Sequence, residues 1–136
     1  MIKRTLGFVA VLCGWLMAGS SLWAHHSLAG VYDMKAEKEL SGTVDKLQFT
    51  NPHGSLSIDV KNEDGTSTTW VFTLGSATAL AQRGVGKTGP NALHVGDPIK
   101  VTCLPAKNGS PLGALRKVIY PDGRVIQTSG SNANGD

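Results

Sequence analysis

Between Leu40 and Thr128 hydrophobic and polar residues alternate over several short stretches. That is the period of an extended strand with one buried and one wet face. Leu40, Gly42 and Val44 open the series, and the face then switches so that Leu47 and Phe49 continue it. A switch inside one long strand predicts a bulge or a sharp bend. Asn51-Pro52-His53-Gly54 reads as a turn, because proline lacks the donor that a central strand needs. Leu56, Ile58 and Val60 alternate with Ser57, Asp59 and Lys61. Glu63-Asp64-Gly65 turns the chain, and Trp70, Phe72 and Leu74 alternate again. This is a hairpin that puts Ile58, Val60, Trp70 and Phe72 in one core.

Ser76 to Gln82 is the one segment that reads as helix. Ser76 can cap its start, Ala77, Ala79, Leu80 and Ala81 favour it, and Gly84 can end it. Val85 to His94 reads as a loop. Gly96-Asp97 turns into Ile99–Cys103, and Leu115 to Tyr120 pairs with Val125 to Thr128 across Pro121-Asp122-Gly123. His25 to Glu39 is a lead-in with little periodicity, and 129–136 is a tail of Gly, Ser, Asn, Ala and Asp that reads as disordered. Three strands, a short helix and further strands, with a bent first strand, predict an all-β domain with one short helix, a small OB-like Greek-key barrel. An immunoglobulin-like sandwich is the rival, but seven strands would be crowded and the helix unexplained.

The first residues change the compartment. Lys3 and Arg4 precede an apolar run from Leu6 to Met17, and a short region ends at Ala24. That order predicts a secretory signal peptide over 1–24, a periplasmic mature chain and no stable membrane anchor after cleavage. Cys13 sits within the apolar run behind the bulky Leu12 and reads as part of the signal, not as a lipidation site. The barrel domain with its lead-in then spans 25–128.

Export also removes Lys3 and Arg4, leaving eleven basic against ten acidic residues and a net charge of about +1. Nothing in that balance points to nucleic acid, which would want a basic patch. Cys103 alone survives cleavage, so no internal disulfide forms. Its alternation with Ile99 and Val101 places it in the core.

All four histidines lie in the mature chain: His25, His26, His53 and His94. Cleavage after Ala24 would give His25 a free α-amine beside its imidazole, and the pair can chelate a metal through nitrogen. One further imidazole would complete a T-shaped set that suits Cu(II). His53, carried on the Pro52 turn, is the first candidate and His26 the second. Set against this, paired histidines also make a plain polar leader, and His53 can simply hold its turn by a hydrogen bond. His94, in a loop beside Gly96-Asp97, is a weak candidate. Asp33, next to Tyr32, is placed to support a histidine from behind.

No catalytic set emerges, and the chain reads as a non-enzyme. No nucleophile elbow surrounds a serine, and Asp59, Glu63 and Asp64 read as the wet face and turn of a hairpin. Gly86-Lys87-Thr88 ends like a phosphate-binding loop, but Ala81 stands where the first glycine belongs and Gly89-Pro90 blocks the helix that should follow. Asn108-Gly109-Ser110 matches a glycosylation triplet by pattern alone.

Ala24-His25-His26-Ser27-Leu28-Ala29, Tyr32-Asp33, Leu40-Ser41-Gly42-Thr43-Val44 and Thr50-Asn51-Pro52-His53 form a distinctive series. Trp70-Val71-Phe72-Thr73-Leu74-Gly75-Ser76, Leu80, Arg83-Gly84 and Val95-Gly96-Asp97 extend it. Together they resemble a family of short exported proteins of Gram-negative bacteria catalogued as a domain of unknown function. The resemblance covers Ala24 to Arg124 and implies a periplasmic OB-like barrel without supplying an activity. The chain departs from that pattern at Gly54, where a larger residue is usual, and in the glycine-rich stretch Val85 to Asn91.

Two functional readings follow. One is a periplasmic binding protein that holds a copper or other divalent ion through His25, His26 and His53. The other is an adaptor whose barrel face binds a periplasmic protein or an envelope glycan, with the histidines structural. Exposed aromatic rings would favour the glycan, yet Trp70 and Phe72 share the predicted core face.

Overall fold

The computed structural model describes residues 28–51 and 53–128. The chain divides into two units, 1–31 and 32–136. In the first, the described residues 28–31 are helical. His25, His26, the predicted signal peptide and the tail at 129–136 lie outside the described residues.

The second unit begins with an antiparallel meander, β1 (Lys38–Gln48), β2 (Ser55–Lys61) and β3 (Ser67–Thr73). The helix α1 (Ala77–Gln82) follows, then β4 (Val85–Gly86) and β5 (Asn91–Ala92), and then β6 (Pro98–Pro105), β7 (Leu112–Ile119) and β8 (Val125–Gln127). The main sheet runs β3-β2-β1-β6-β7-β8. It closes where the edge strand β3 pairs with the penultimate strand β7 in parallel, Val71–Thr73 against Leu112–Ala114. β1, β2, β3, β6 and β7 thus close a small barrel, with the helix between its third and fourth strands, the OB arrangement.

The bend in β1 is a bulge. Val44 faces Ile58 and Lys46 faces Ser57, which leaves Asp45 as the extra residue. That insertion moves Leu47 onto the face that Val44 had occupied, because one added residue inverts a period of two. The β2–β3 hairpin runs from Ser55↔Thr73 to Lys61↔Ser67, and Gly65 takes the positive φ of 85° that its turn requires.

Phe72, Leu56, Ile58, Val44, Val101, Val118 and Cys103 fill the barrel, and Leu80 joins them from α1. Cys103 is fully buried, as its alternation predicts. Burial pushes its thiol up to about 11, against the opposing charge of Lys38. Trp70 and Val60 are only partly buried at the edge of this cluster. Trp70 stacks on Phe72 with 6.2 Å between ring centroids, and the Lys38 Nζ lies 4.7 Å from its ring centre. Trp70 is therefore a rim residue, not the centre of the core.

Two predicted boundaries shift. Val85 to His94 is not all loop, since β4 and β5 pair in parallel as a two-residue ribbon. Elements that short carry no readable alternation. β7 begins at Leu112, three residues before the predicted start, because the Ser110-Pro111-Leu112-Gly113 stretch resembles a loop in sequence. Those three residues form the closing seam with β3. A Cβ on Gly113 would lie 2.8 Å from Cys103 Sγ and 3.0 Å from Phe72 Cδ1, so only glycine lets the three strands meet there.

A lateral groove and the histidine positions

The β1–β2 connection carries the Thr50-Asn51-Pro52-His53 series. Asn51 Oδ1 accepts the backbone N–H of Ala77 at 3.1 Å, while Ser76 Oγ accepts that of Ala79 at 3.2 Å. Two side chains thus satisfy donors that the first turn of α1 leaves open. The Thr50 hydroxyl donates to the His53 carbonyl at 2.7 Å. Gly54 then exchanges backbone bonds with Gly75 and Leu74, at 3.2 and 3.0 Å. Gly54 is buried, and a Cβ there would come within 2.6 Å of the Gln48 carbonyl. Its smallness leaves no looseness, because the backbone of Gln48 fills the space a side chain would need.

The His53 side chain stands in solvent beside this network. It is the single candidate copper ligand of the His25, His26 and His53 set that the described residues contain. Among the described residues no group of three or more His, Cys, Asp and Glu side chains is close enough to hold a metal ion. His53 fits a metal as one accessible donor, and any further donors would have to come from outside the described residues.

His94 is occupied. Its backbone N–H donates to Asp97 Oδ2 at 2.8 Å, and its Nδ1 lies 3.5 Å from the same oxygen. The pair closes the turn into β6. Asp33 Oδ1 accepts the N–H of Lys35 at 3.0 Å, and the Asp33 N–H reaches the Pro105 carbonyl at 2.9 Å. Beside it Tyr32 is buried against Leu104 and Ala106 and meets Thr73 Oγ1 at 3.2 Å. The Tyr-Asp pair in the lead-in thus anchors that segment to the barrel.

The other sequence patterns resolve as turns. Asp64 takes both the hydroxyl and the N–H of Thr66, which hold its carboxyl below the usual carboxylate range. Asn108 Oδ1 accepts the N–H and the hydroxyl of Ser110. Gly86 ends β4, and the chain after it leads to β5 with no helix at all.

A concave feature of the barrel lies elsewhere. A groove of about 730 Å³ crosses four neighbouring strands, β2, β1, β6 and β7. Ser41, Thr43, Asp59, Lys61, Pro98, Lys100 and Ile119 occupy positions that alternate with the buried Val44, Ile58, Ile99, Val101 and Val118. They therefore point outward, and Pro121 lines the groove with them. At Gly42, β1 approaches β2 so closely that a Cβ would lie 2.6 Å from the Asp59 carbonyl. Tyr120 also lines the groove. Its hydroxyl donates to the Asn91 carbonyl at 2.7 Å, and the Arg124 guanidinium covers the ring at 4.8 Å. Arg124 also donates to Asp122, to the Pro90 carbonyl and to Asn91 Oδ1, so it pins the β4–β5 ribbon.

Alternation marks each of these residues as outward-facing. It does not say that β1 lies next to β6, and this is why the groove is not readable from the sequence.

Fold and groove define a small OB-type barrel with an open cleft on its side. The chain belongs to a family of unknown function (DUF6152), whose profile matches residues 14–116. The match overlaps the Ala24–Arg124 resemblance, starting earlier and stopping at Arg116. No curated protein and no solved structure gives a match.

Proposed function

We propose that this chain is an exported, non-catalytic binding module that takes its ligand in the groove on the side of the barrel. The groove is the observation that carries this reading. It joins hydroxyls, both signs of charge and apolar walls in one concavity, the mixture that binding sites use to fix and orient a ligand. OB barrels as a class bind polymers on an outward strand face. The export half of the reading rests on the basic start, apolar run and Ala24 of the N-terminal segment, and N-terminal sequencing of the periplasmic protein should find His25 first.

A photo-crosslinking residue at Thr43, in protein exported by living cells, should give an adduct that the same residue at Lys87 does not. Adducts from Lys87 and none from Thr43 would remove the groove as the binding site.

A second reading keeps the copper expectation, and the exposure of His53 on its turn supports it. His25 with its freed amine, His53 and secondarily His26 would ligate the ion. Adding one residue before His25 should then weaken Cu(II) binding nearly as much as His53→Ala. Calorimetric titration that shows equal affinity in all three proteins would return the histidines to structural roles.

A further inference from the structure

The lateral groove opens where a ladder stops. β1 begins at Lys38 and β2 ends at Lys61, yet their pairing ends at Thr43↔Asp59. The direction of each main chain follows from the bonds beside this point. The Val44 N–H donates to the Asp97 carbonyl at 2.9 Å, and the Val44 carbonyl accepts the Gly96 N–H at 2.8 Å. Those bonds turn the main chain of Val44 to the β6 side, and a period of two turns Gly42 and Leu40 the same way. Thr43, Ser41 and Glu39 therefore aim their N–H and C=O groups towards β2. Across the gap, the Asn62 N–H donates to the Thr66 carbonyl at 2.8 Å within the β2–β3 hairpin. Val60 shares that direction, so Asp59 and Lys61 aim their main-chain groups towards β1. Asp59 meets Thr43. The next position, Ser41 opposite Lys61, forms no pair among the described residues, and both residues line the groove.

Charge selects no occupant for this place. Lys61, Lys100, Lys117 and Arg124 are balanced by Asp59, Glu39, Asp97 and Asp122, and Lys100 already pairs with Glu39 at 3.0 Å. The open main chain does select one. An unpaired strand edge offers one donor and one acceptor at every second residue, about 7 Å apart. Another extended polypeptide carries the matching series whatever its side chains, which is how a strand adds to a sheet edge. The hydroxyls of a sugar chain carry no such repeat. Resting on the groove reading above, we propose that the groove receives an extended segment of a partner polypeptide. That segment pairs with the open edge of β1 at Ser41 and Glu39, in the place that β2 leaves, and is recognised by its main chain. Its outward side chains sit beside those of Ser41, Thr43 and Lys61.

The test is a titration of the isotope-labelled, processed protein with a blocked hexapeptide of alternating serine and valine, read by amide shifts and amide exchange. Exchange at the Ser41 and Glu39 N–H groups should slow about tenfold or more, with shifts at Thr43 and Lys61. The same peptide N-methylated at every residue should leave these amides unchanged. Ser41→Pro deletes the N–H that faces the gap, at an edge position where proline is tolerated. It should weaken binding about tenfold or more, whereas Ser41→Ala, which keeps the main chain, should bind as the parent does. Thermal unfolding checks that both variants fold. Undiminished binding of the methylated peptide, parental binding by folded Ser41→Pro, or loss of binding in Ser41→Ala would overturn the proposal. Maltohexaose that shifts the groove amides when the peptide does not would also overturn it, while leaving the groove as a binding site. Failure of both probes together with no Thr43 crosslink would remove the groove reading itself.

Discussion

The two halves of the barrel reach the same closed sheet by different means. β1, β2 and β3 are neighbours in sequence and in space, and each pairing is set by a short connection and a period of two. The Lys61↔Ser67 pair, for instance, follows directly from the turn at Gly65. β6 and β7 also form an antiparallel pair, but each must find a strand from far along the chain. β6 meets β1 from Lys38↔Cys103 to Thr43↔Pro98, and β7 meets β3 at Val71↔Leu112. Long-range contacts bear the entropy of loop closure before any burial rewards them. Both halves carry a register shift, after Val44 and after Thr102, and both need a bare glycine, Gly42 where β1 meets β2 and Gly113 at the seam. What separates the halves is range, since closure alone joins strands that are distant in the chain.

The change that should break both halves at once is Phe72→Ala. Phe72 is fully buried, pairs with Leu56 in the meander and faces Gly113 across the seam. Its truncation should cost about 3–5 kcal/mol in denaturant unfolding. A loss below about 1 kcal/mol would mean that neither half is packed upon it.

Gly113→Ala should separate the halves. The added methyl meets Cys103 and Phe72 at 2.8 and 3.0 Å, both buried side chains with little room to move. The expected cost is about 1–3 kcal/mol. Amide exchange should quicken at Val71–Thr73 and Leu112–Ala114 and change little along the β1–β2 ladder. Cys103 offers an independent readout, since burial holds its thiol up at about 11. Alkylation at pH 8 should be slow in the parent and faster in the variant. The same shift works on stability, because the unfolded thiol ionises near 9.0 and the folded one does not. This contribution is complete below pH 9 and is lost as pH rises towards 11. Cys103→Ala should flatten that part of the pH dependence. Uniform acceleration of exchange across both halves would show that the seam and the meander open as one unit.

The smallest expected effect is at the edge of the comparison, where the meander hands over to the helix. Asn51→Ala removes the acceptor for the Ala77 N–H and should cost about 1 kcal/mol. Its effect should be confined to α1 and the β1–β2 turn, seen as faster exchange at Ala77 with the barrel amides unmoved. A change spread through the barrel would mean that the turn has a wider structural role than the cap.

What the sequence determined by itself was whatever depends on near neighbours. The alternation of Leu56, Ile58 and Val60 chose the inward face of β2, and the missed beat after Val44 announced the bulge. Ser76 and Gly84 bounded the helix, and the pairing of Cys103 with Ile99 and Val101 put the thiol inside. Each of these follows from periods of two or 3.6 and from capping chemistry, which act over a few residues. The tertiary structure decided what depends on strands distant in the chain. It made a loop-like Leu112-Gly113-Ala114 into the closing seam, because a third strand came close enough to require glycine. It moved Trp70 from the expected core to the rim beneath Lys38, because alternation reports a face and not a depth. It gave Asn51 of the turn motif a partner twenty-six positions away. It also assembled the groove from outward residues of β2, β1, β6 and β7, which are adjacent only after the barrel has closed.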